Sequence, residues 1–201
     1  MNKTLRAVAI AALSVAALTP AMAQESPWQV RVRAVNLDPA NKDQTTLGAD
    51  LNVNAKLIPE VDISYFFTPN IAAELILTYP QKHNIKSGDT VIGSLRHLPP
   101  TLTVQYHFMP NDTAIRPYVG AGVNYTNFSS VNTVVPGVNL KRGSWGWALQ
   151  AGMDIPLNKQ WSINLDVKKV QIHADVTHNG VGVGTLKVDP LLIGVGLGYR
   201  F

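Results

Sequence analysis

Apolar and polar residues alternate with a period of two through most of the chain. That period predicts strands with one oily face and one polar face. Residues 28–35 place Trp28, Val30, Val32 and Ala34 opposite Gln29, Arg31 and Arg33. Residues 51–67 set Val61, Ile63, Tyr65 and Phe67 against Glu60, Asp62 and Ser64, and Thr68-Pro69-Asn70 then makes a tight turn. The third segment, 71–79, sets Ile71, Ala73, Leu75, Leu77 and Tyr79 against Glu74, Ile76 and Thr78. Similar alternation recurs over 101–108, 116–125, 145–155, 161–168 and 191–201, the last ending on Leu197, Tyr199 and Phe201. The pattern predicts eight strands.

The connections alternate in length. Those after the second, fourth and sixth strands are about three to five residues, and those after the first, third, fifth and seventh are around a dozen or more. Short turns at one end and long loops at the other are the plan of an outer-membrane barrel. The chain of 201 residues has room for eight strands and not for the sixteen of a porin, and nothing in it marks a second domain. No stretch after the first twenty-odd residues approaches the ~18 consecutive apolar residues of a helical span. The start reads as a secretory leader, 1–23: Lys3 and Arg6 form a positive region, 7–18 an apolar core, and Ala21-Met22-Ala23 a small-x-small cleavage site. Residues 24–201 then form the barrel.

Composition narrows the choices. With no cysteine, disulfide scaffolds, thiol catalysis and thiolate metal sites are excluded. The formal charge of +4 falls to +2 once Lys3 and Arg6 are removed, and the remaining positives are scattered, so no nucleic-acid partner is expected. Which face meets solvent is decided by bulk and charge. The interior of an eight-stranded barrel only just accommodates side chains, which suits Gly120, Gly122, Gly146, Gly152, Gly194, Gly196 and Gly198 on the polar face. The apolar face carries Trp, Tyr and Phe near strand ends, as an interfacial girdle does. The expected fold is therefore all-β, an eight-stranded antiparallel transmembrane β-barrel in the outer membrane, with lipid and lipopolysaccharide around it. Phe201 closing an alternating strand looks like a signal for the barrel-assembly machinery.

Several ordered motifs carry a family resemblance. These are the run from Tyr65 through Thr68-Pro69-Asn70 to Ile71, Glu74-Leu75, and His97-Leu98-Pro99-Pro100-Thr101-Leu102. The strongest runs Arg116-Pro117-Tyr118-Val119-Gly120-Ala121-Gly122-Val123-Asn124-Tyr125. Ser144-Trp145-Gly146, Asp189-Pro190 and Gly198-Tyr199-Arg200-Phe201 complete the set. In these residues the chain resembles the OmpW family of outer-membrane proteins, which includes alkane-uptake relatives. The resemblance implies both termini in the periplasm and a narrow apolar channel for small hydrophobic molecules with sideways release into the membrane. It also implies phage or bacteriocin reception in some members. Ile76 matches a position of the apolar constriction. Lys168 lies where a relative carries an aromatic residue, a departure from a purely apolar gate.

Strand direction places the inward residues by height. Near the periplasmic end lie Arg31, Arg33, Asp62, Glu74, His107, Arg116, Asp154, Asp166 and Arg200. Both signs converge there, and isolated buried charges are costly, so these residues are expected to pair into a plug. Higher up, Val35, Ile58, Ile76 and Leu192, with Lys168, line the upper lumen, where glycines of the fifth, sixth and eighth strands leave room. An apolar cavity above a charged plug favours a hydrophobic solute that enters from outside and leaves sideways, because ion pairs cannot replace its apolar contacts. The alternative is a closed barrel serving as a surface receptor or adhesin, with Lys82, Lys86, Arg96, Lys141 and Arg142 meeting lipopolysaccharide phosphates. No catalytic residues, cofactor or metal are expected. His83, His97 and His107 show no compact arrangement with Ser87, Ser94 or Ser130, and His173 and His178 are a weak metal pair. The 180–184 glycines lack the strand–turn–helix setting of a phosphate loop.

Overall fold

The computed structural model describes residues 26–40, 42–45, 51–53, 55–79, 81–87, 90–133 and 137–201. The leader and its cleavage site lie outside them. In chain order, β1 (Trp28–Asp38) is followed by two short strands, β2 (Lys42–Thr45) and β3 (Leu51–Val53), then by β4 (Lys56–Phe66) and β5 (Ile71–Thr78). The strands β6 (Gln81–Ser87) and β7 (Thr90–Leu98) lead into β8 (Thr101–His107) and the 18-residue β9 (Arg116–Thr133). Next come β10 (Val138–Leu140), β11 (Gly143–Pro156) and β12 (Trp161–Val170), and β13 (His173–His178) and β14 (Val181–Lys187) precede β15 (Leu191–Arg200).

Eight of these strands close a ring in the order β1-β4-β5-β8-β9-β11-β12-β15, and β15 returns to pair with β1. Every pairing is antiparallel. The short turns at 67–70, 108–115 and 157–160 share one end with Ser26 and Phe201, and Ser26 N donates to Phe201 O at 2.8 Å there. We call this the turn end and the opposite one the loop end. Ten residues of β12, at ~3.3 Å per residue and a tilt near 40°, cover roughly 25 Å, the height of a bilayer's apolar band.

The turns are built by their polar residues. The Asp112 carboxylate accepts from the backbone N–H of Ala114 at 2.6 Å and of Ile115 at 3.0 Å. These bonds hold its carboxyl below the usual carboxylate range of 3.8. Because the folded value is the lower one, the stabilisation is present above pH of about 3.8 and fades as pH falls through the folded value. An Asp112→Asn variant should therefore unfold more readily than the parent at neutral pH in urea titrations and match it in strong acid.

Exposure settles which face is outside. On β1 the inward Arg31 is 0% exposed while its outward neighbour Val32 is 55% exposed. The same contrast runs around the ring, with Leu102, Val104, Val123, Leu149, Ile193 and Leu197 all half-exposed. A continuous apolar belt around the whole ring is rarely exposed by a water-soluble monomer. Two aromatic girdles bound it. At the turn end Trp28 meets Tyr65 edge-on at 4.8 Å and Trp161 meets Tyr199 at 4.9 Å. At the loop end Tyr125 lies 4.9 Å from Trp145.

The loop end differs from expectation. The segment 51–67 is not one strand: β4 pairs with β1 only as far as Lys56 opposite Leu37, and β3 pairs with β6 instead. β1 stops at Asp38, where Pro39 has no N–H to continue a ladder. The long connections also carry strands rather than irregular chain. β7 pairs with the upper half of β9, and β10, β13, β14 and β2 form a separate four-stranded sheet. The β13–β14 connection turns on Asn179 (φ 52°) and Gly180 (φ 83°), the residue pair that a tight hairpin with two left-handed positions selects.

Candidate functional site: the barrel lumen

The inward face of β1 delivers two arginines to the barrel axis. Arg31 Nη1 donates to Glu74 Oε2 at 2.7 Å and Ser64 Oγ at 3.0 Å, while its Nη2 and Nε reach the Asp154 carboxylate at 2.7 and 3.1 Å. This fork-to-carboxylate geometry is among the stronger hydrogen-bonded pairings. Arg33 Nη1 donates to Glu60 Oε1 at 2.9 Å and lies 3.0 Å from Asp62 Oδ2, and Arg33 Nε donates to Asn164 Oδ1 at 2.6 Å. Lys168 Nζ donates to Glu60 Oε1 at 2.6 Å and lies 2.9 Å from Asp166 Oδ1.

Neutral groups join these ions into one network. Gln150 Nε2 donates to Glu74 Oε1 at 2.9 Å and to Asp166 Oδ2 at 2.7 Å, and Tyr118 OH donates to Asp166 Oδ2 at 2.8 Å. Asn164 Nδ2 donates to Asp154 Oδ1 at 2.8 Å. All the charged side chains are buried. Three cations thus face five carboxylates across a tube with no room for bulk water. Low polarity makes each satisfied bond stronger and each missing one more costly.

Glycines let the walls close on this network. A Cβ on Gly152 would sit 2.5 Å from the Tyr118 ring, and one on Gly194 would sit 3.2 Å from Val35 Cγ2. The glycines do not leave the open space in the upper lumen that the sequence led us to expect. That room is taken by side chains and backbone of the neighbouring strands.

Above the ions the lumen turns apolar. Val35, Leu37, Ile58, Ile76, Val170, Ile172 and Leu192 are all buried, and they form a layer over Lys168 and Glu60. The cavity among them is only about 20 Å³, room for about one water. Both the ionic layer and the apolar layer therefore close the tube in this conformation.

The placement of the expected residues is uneven. Arg31, Arg33, Asp62, Glu74, Asp154 and Asp166 meet in one network. Arg116 and Arg200, expected in it, lie at the mouth instead. Arg116 Nε donates to the Asp112 carbonyl at 2.9 Å, and the Arg200 guanidinium lies 4.2 Å over the Phe66 ring. His107 faces inward but lies within hydrogen-bond distance of Gln105 Oε1 at 3.1 Å rather than pairing with a carboxylate. Val35, Ile58, Ile76 and Leu192 sit in the apolar layer. Lys168 is in register with Leu192 at that height, yet its long stem carries the ammonium down to the acids.

Glu60, Tyr118, Gln150 and Asn164 were missed as plug residues. Each has the inward parity of its strand at the right height, so parity and height together identify them. The structure also pairs a serine with a histidine: Ser144 Oγ is 3.3 Å from His173 Nδ1 and accepts the His173 amide at 3.2 Å. That pair ties β11 to β13. The side chains of His83, His97, Lys82, Lys86 and Arg96 lie outside the described residues, whereas Lys141 and Arg142 are exposed at the loop end.

Among the described residues, the ladder between β5 and β8 stops short of the loop end. β5 pairs with β8 only as far as Ile76 opposite Thr101, although it continues to pair with β4 up to Thr78. The next residues towards the loop end on the other side are Pro99 and Pro100, which have no N–H for β5. The small cavity of the apolar layer reaches both Thr78 and Pro99. Thr78 Oγ1 is buried without a hydrogen-bond partner among the described residues.

Comparison with known proteins agrees with this architecture. A model of the OmpW family matches residues 24–201. An uncharacterized outer-membrane protein of Sinorhizobium fredii is 42% identical over 185 residues, covering 88% of this chain and 80% of that protein. Outer membrane protein W of Vibrio cholerae is 33% identical over the whole of both chains. Among solved structures, the outer membrane protein OprG of Pseudomonas aeruginosa superimposes with a TM-score of 0.70 at 26% identity, covering 89% of this chain and 97% of that one.

Proposed function

The chain belongs to the OmpW family of outer-membrane β-barrel proteins, and from that premise we propose that it is a channel for small hydrophobic molecules with sideways release into the membrane. The observation that carries this reading is the layering of the lumen. An apolar layer, Val35, Ile58, Ile76 and Leu192, stands directly on a buried, ion-paired plug. A hydrocarbon that enters from the loop end finds apolar contacts in the upper layer and none below it. Descending through the plug would break several buried ion pairs, each costly to open. The route that avoids this cost leads through the wall.

The Thr78–Pro99 gap is the exit in this reading. No backbone hydrogen bonds between β5 and β8 need breaking above Ile76 and Thr101, and the cavity already touches both sides of the gap. Passage requires the apolar layer to move, because about 20 Å³ admits no hydrocarbon. In the membrane, the loop end with its second sheet faces outward and the turn end faces the periplasm. Phe201, edge-on to Tyr199 at 5.0 Å on the lipid side, is the residue presented to the assembly machinery.

One observation favours a second reading, a closed barrel acting as a surface receptor or adhesin: both lumen layers are shut, while the loop end carries an extra four-stranded sheet. One experiment separates the two. The chain has no cysteine, so Thr78→Cys with Pro99→Cys can be bridged by a reducible cross-linker in whole cells supplied with a long-chain alkane. Uptake should exceed that of cells lacking the barrel, drop to that level on bridging, and return on reduction. No uptake above the control would leave the receptor reading, and uptake indifferent to the bridge would remove the sideways exit.

A further inference from the structure

The apolar layer covers only part of the circumference above the plug. It comes from β1, β4, β5, β12 and β15, through Val35, Leu37, Ile58, Ile76, Val170 and Leu192. Beside Ile76, β8 and β9 turn neutral polar side chains inward instead: Thr101, Asn124 and Thr126, all buried. These are bonded to one another in a line. Thr126 Oγ1 donates to Asn124 Oδ1 at 2.8 Å, Asn124 Nδ2 donates to Thr101 Oγ1 at 2.9 Å, and Thr101 Oγ1 donates to the Pro99 carbonyl at 3.3 Å. The line ends at Pro99, on one side of the Thr78–Pro99 gap.

Thr78 stands on the other side. It is in register with the inward Glu60 and lines the small cavity of the apolar layer. Its Oγ1 is buried and has no hydrogen-bond partner among the described residues. The other polar side chains lining that cavity are engaged, Thr101 by Asn124 and Pro99, and Lys168 and Glu60 by each other. Leaving a buried hydroxyl unpaired is unfavourable. A molecule that brings an oxygen to Thr78 removes that cost, and a plain hydrocarbon does not.

We propose that the Thr78 hydroxyl makes the exit selective for hydrophobic molecules that carry one uncharged oxygen function, a ketone or an alcohol, over plain hydrocarbons of the same length. The inference rests on the channel reading and names its preferred solute class. The hydrocarbon tail lies against the apolar side of the lumen, and the oxygen pairs with Thr78, which donates to a carbonyl or accepts from an alcohol. A charged head is disfavoured, because one hydroxyl cannot replace its hydration. The cavity is only about 20 Å³, so the contact forms as the apolar layer moves, a movement that passage itself requires.

The test supplies whole cells with a labelled long-chain alkane and with the methyl ketone of the same carbon number. Uptake of each is measured above that of cells lacking the barrel, and the readout is the ketone-to-alkane ratio. The ratio should fall about fivefold in Thr78→Val, the discrimination that one net hydrogen bond supplies, and should be retained in Thr78→Ser. Heat-resistant gel migration shows which variants fold, and Thr78→Ala removes the same hydroxyl should the valine variant fail to fold. A ratio unchanged in a folded variant without the hydroxyl, or lost equally in Thr78→Ser, would overturn the selection and leave the channel standing. Barrel-dependent uptake of neither solute would overturn the channel reading and this inference with it.

Discussion

Replacing Arg31 with methionine is expected to cost about 3–5 kcal/mol of folding stability, the range for removing one partner of a buried ion pair. Arg31 touches Asp154 through two nitrogens and Glu74 and Ser64 through a third. Methionine fills part of the volume but strands acids that are nearly free of solvent. Arg31→Lys should fall between the two, since a point charge cannot engage both carboxylates as the fork does. Adding Asp154→Asn to Arg31→Met should recover part of the loss by removing one orphaned charge. Urea unfolding of barrels refolded in lipid vesicles measures all four proteins. A methionine variant within 1 kcal/mol of the parent would show that the plug is not held by its ion pairs.

The second large effect is steric. A Cβ on Gly122 would fall on the Leu102 carbonyl and 2.6 Å from the Thr103 Cα, both belonging to the backbone of β8. Thr103 is the register partner of Gly122, so neither strand can yield without loosening the ring. Gly122→Val should prevent recovery of a folded barrel, and Gly122→Ala should lose about 3 kcal/mol, at or beyond the usual upper range for overpacking. Gly182 is the control: a Cβ there meets nothing within 4 Å, and Gly182→Ala should leave stability unchanged. The heat-resistant gel migration of folded barrels distinguishes these outcomes. Normal folding of Gly122→Val would mean that the two strands do not approach so closely.

These two cases show how legibility varied within the chain. Arg31 was readable as an inward charge, because parity along a strand is strict and neighbouring strands carried opposite charges at the same height. Lys168 was placed by its backbone height among apolar residues, whereas its ammonium belongs to the plug, since a four-carbon stem spans the difference. Arg116 and Arg200 were read one layer too deep. Their parity was right, but the turns and the Phe66 ring hold their guanidinium groups at the mouth. The role expected of the glycines reversed for a related reason. Absence of a side chain reads as room in one dimension, and in a closed ring the neighbouring chain or a Tyr118 ring occupies that room.

By itself the amino-acid order determined the strand period, the oily and polar faces, the short and long connections and hence a lipid-embedded barrel of eight strands. All of these depend on neighbours within a few positions, and the size of the tube follows from counting them. Only the tertiary structure decided which ions pair, that both lumen layers are shut, and that the wall loses its ladder between Thr78 and Pro99. Those facts depend on contacts between strands far apart in the chain, on the heights at which ring closure sets them, and on side-chain reach. No local pattern encodes these distances.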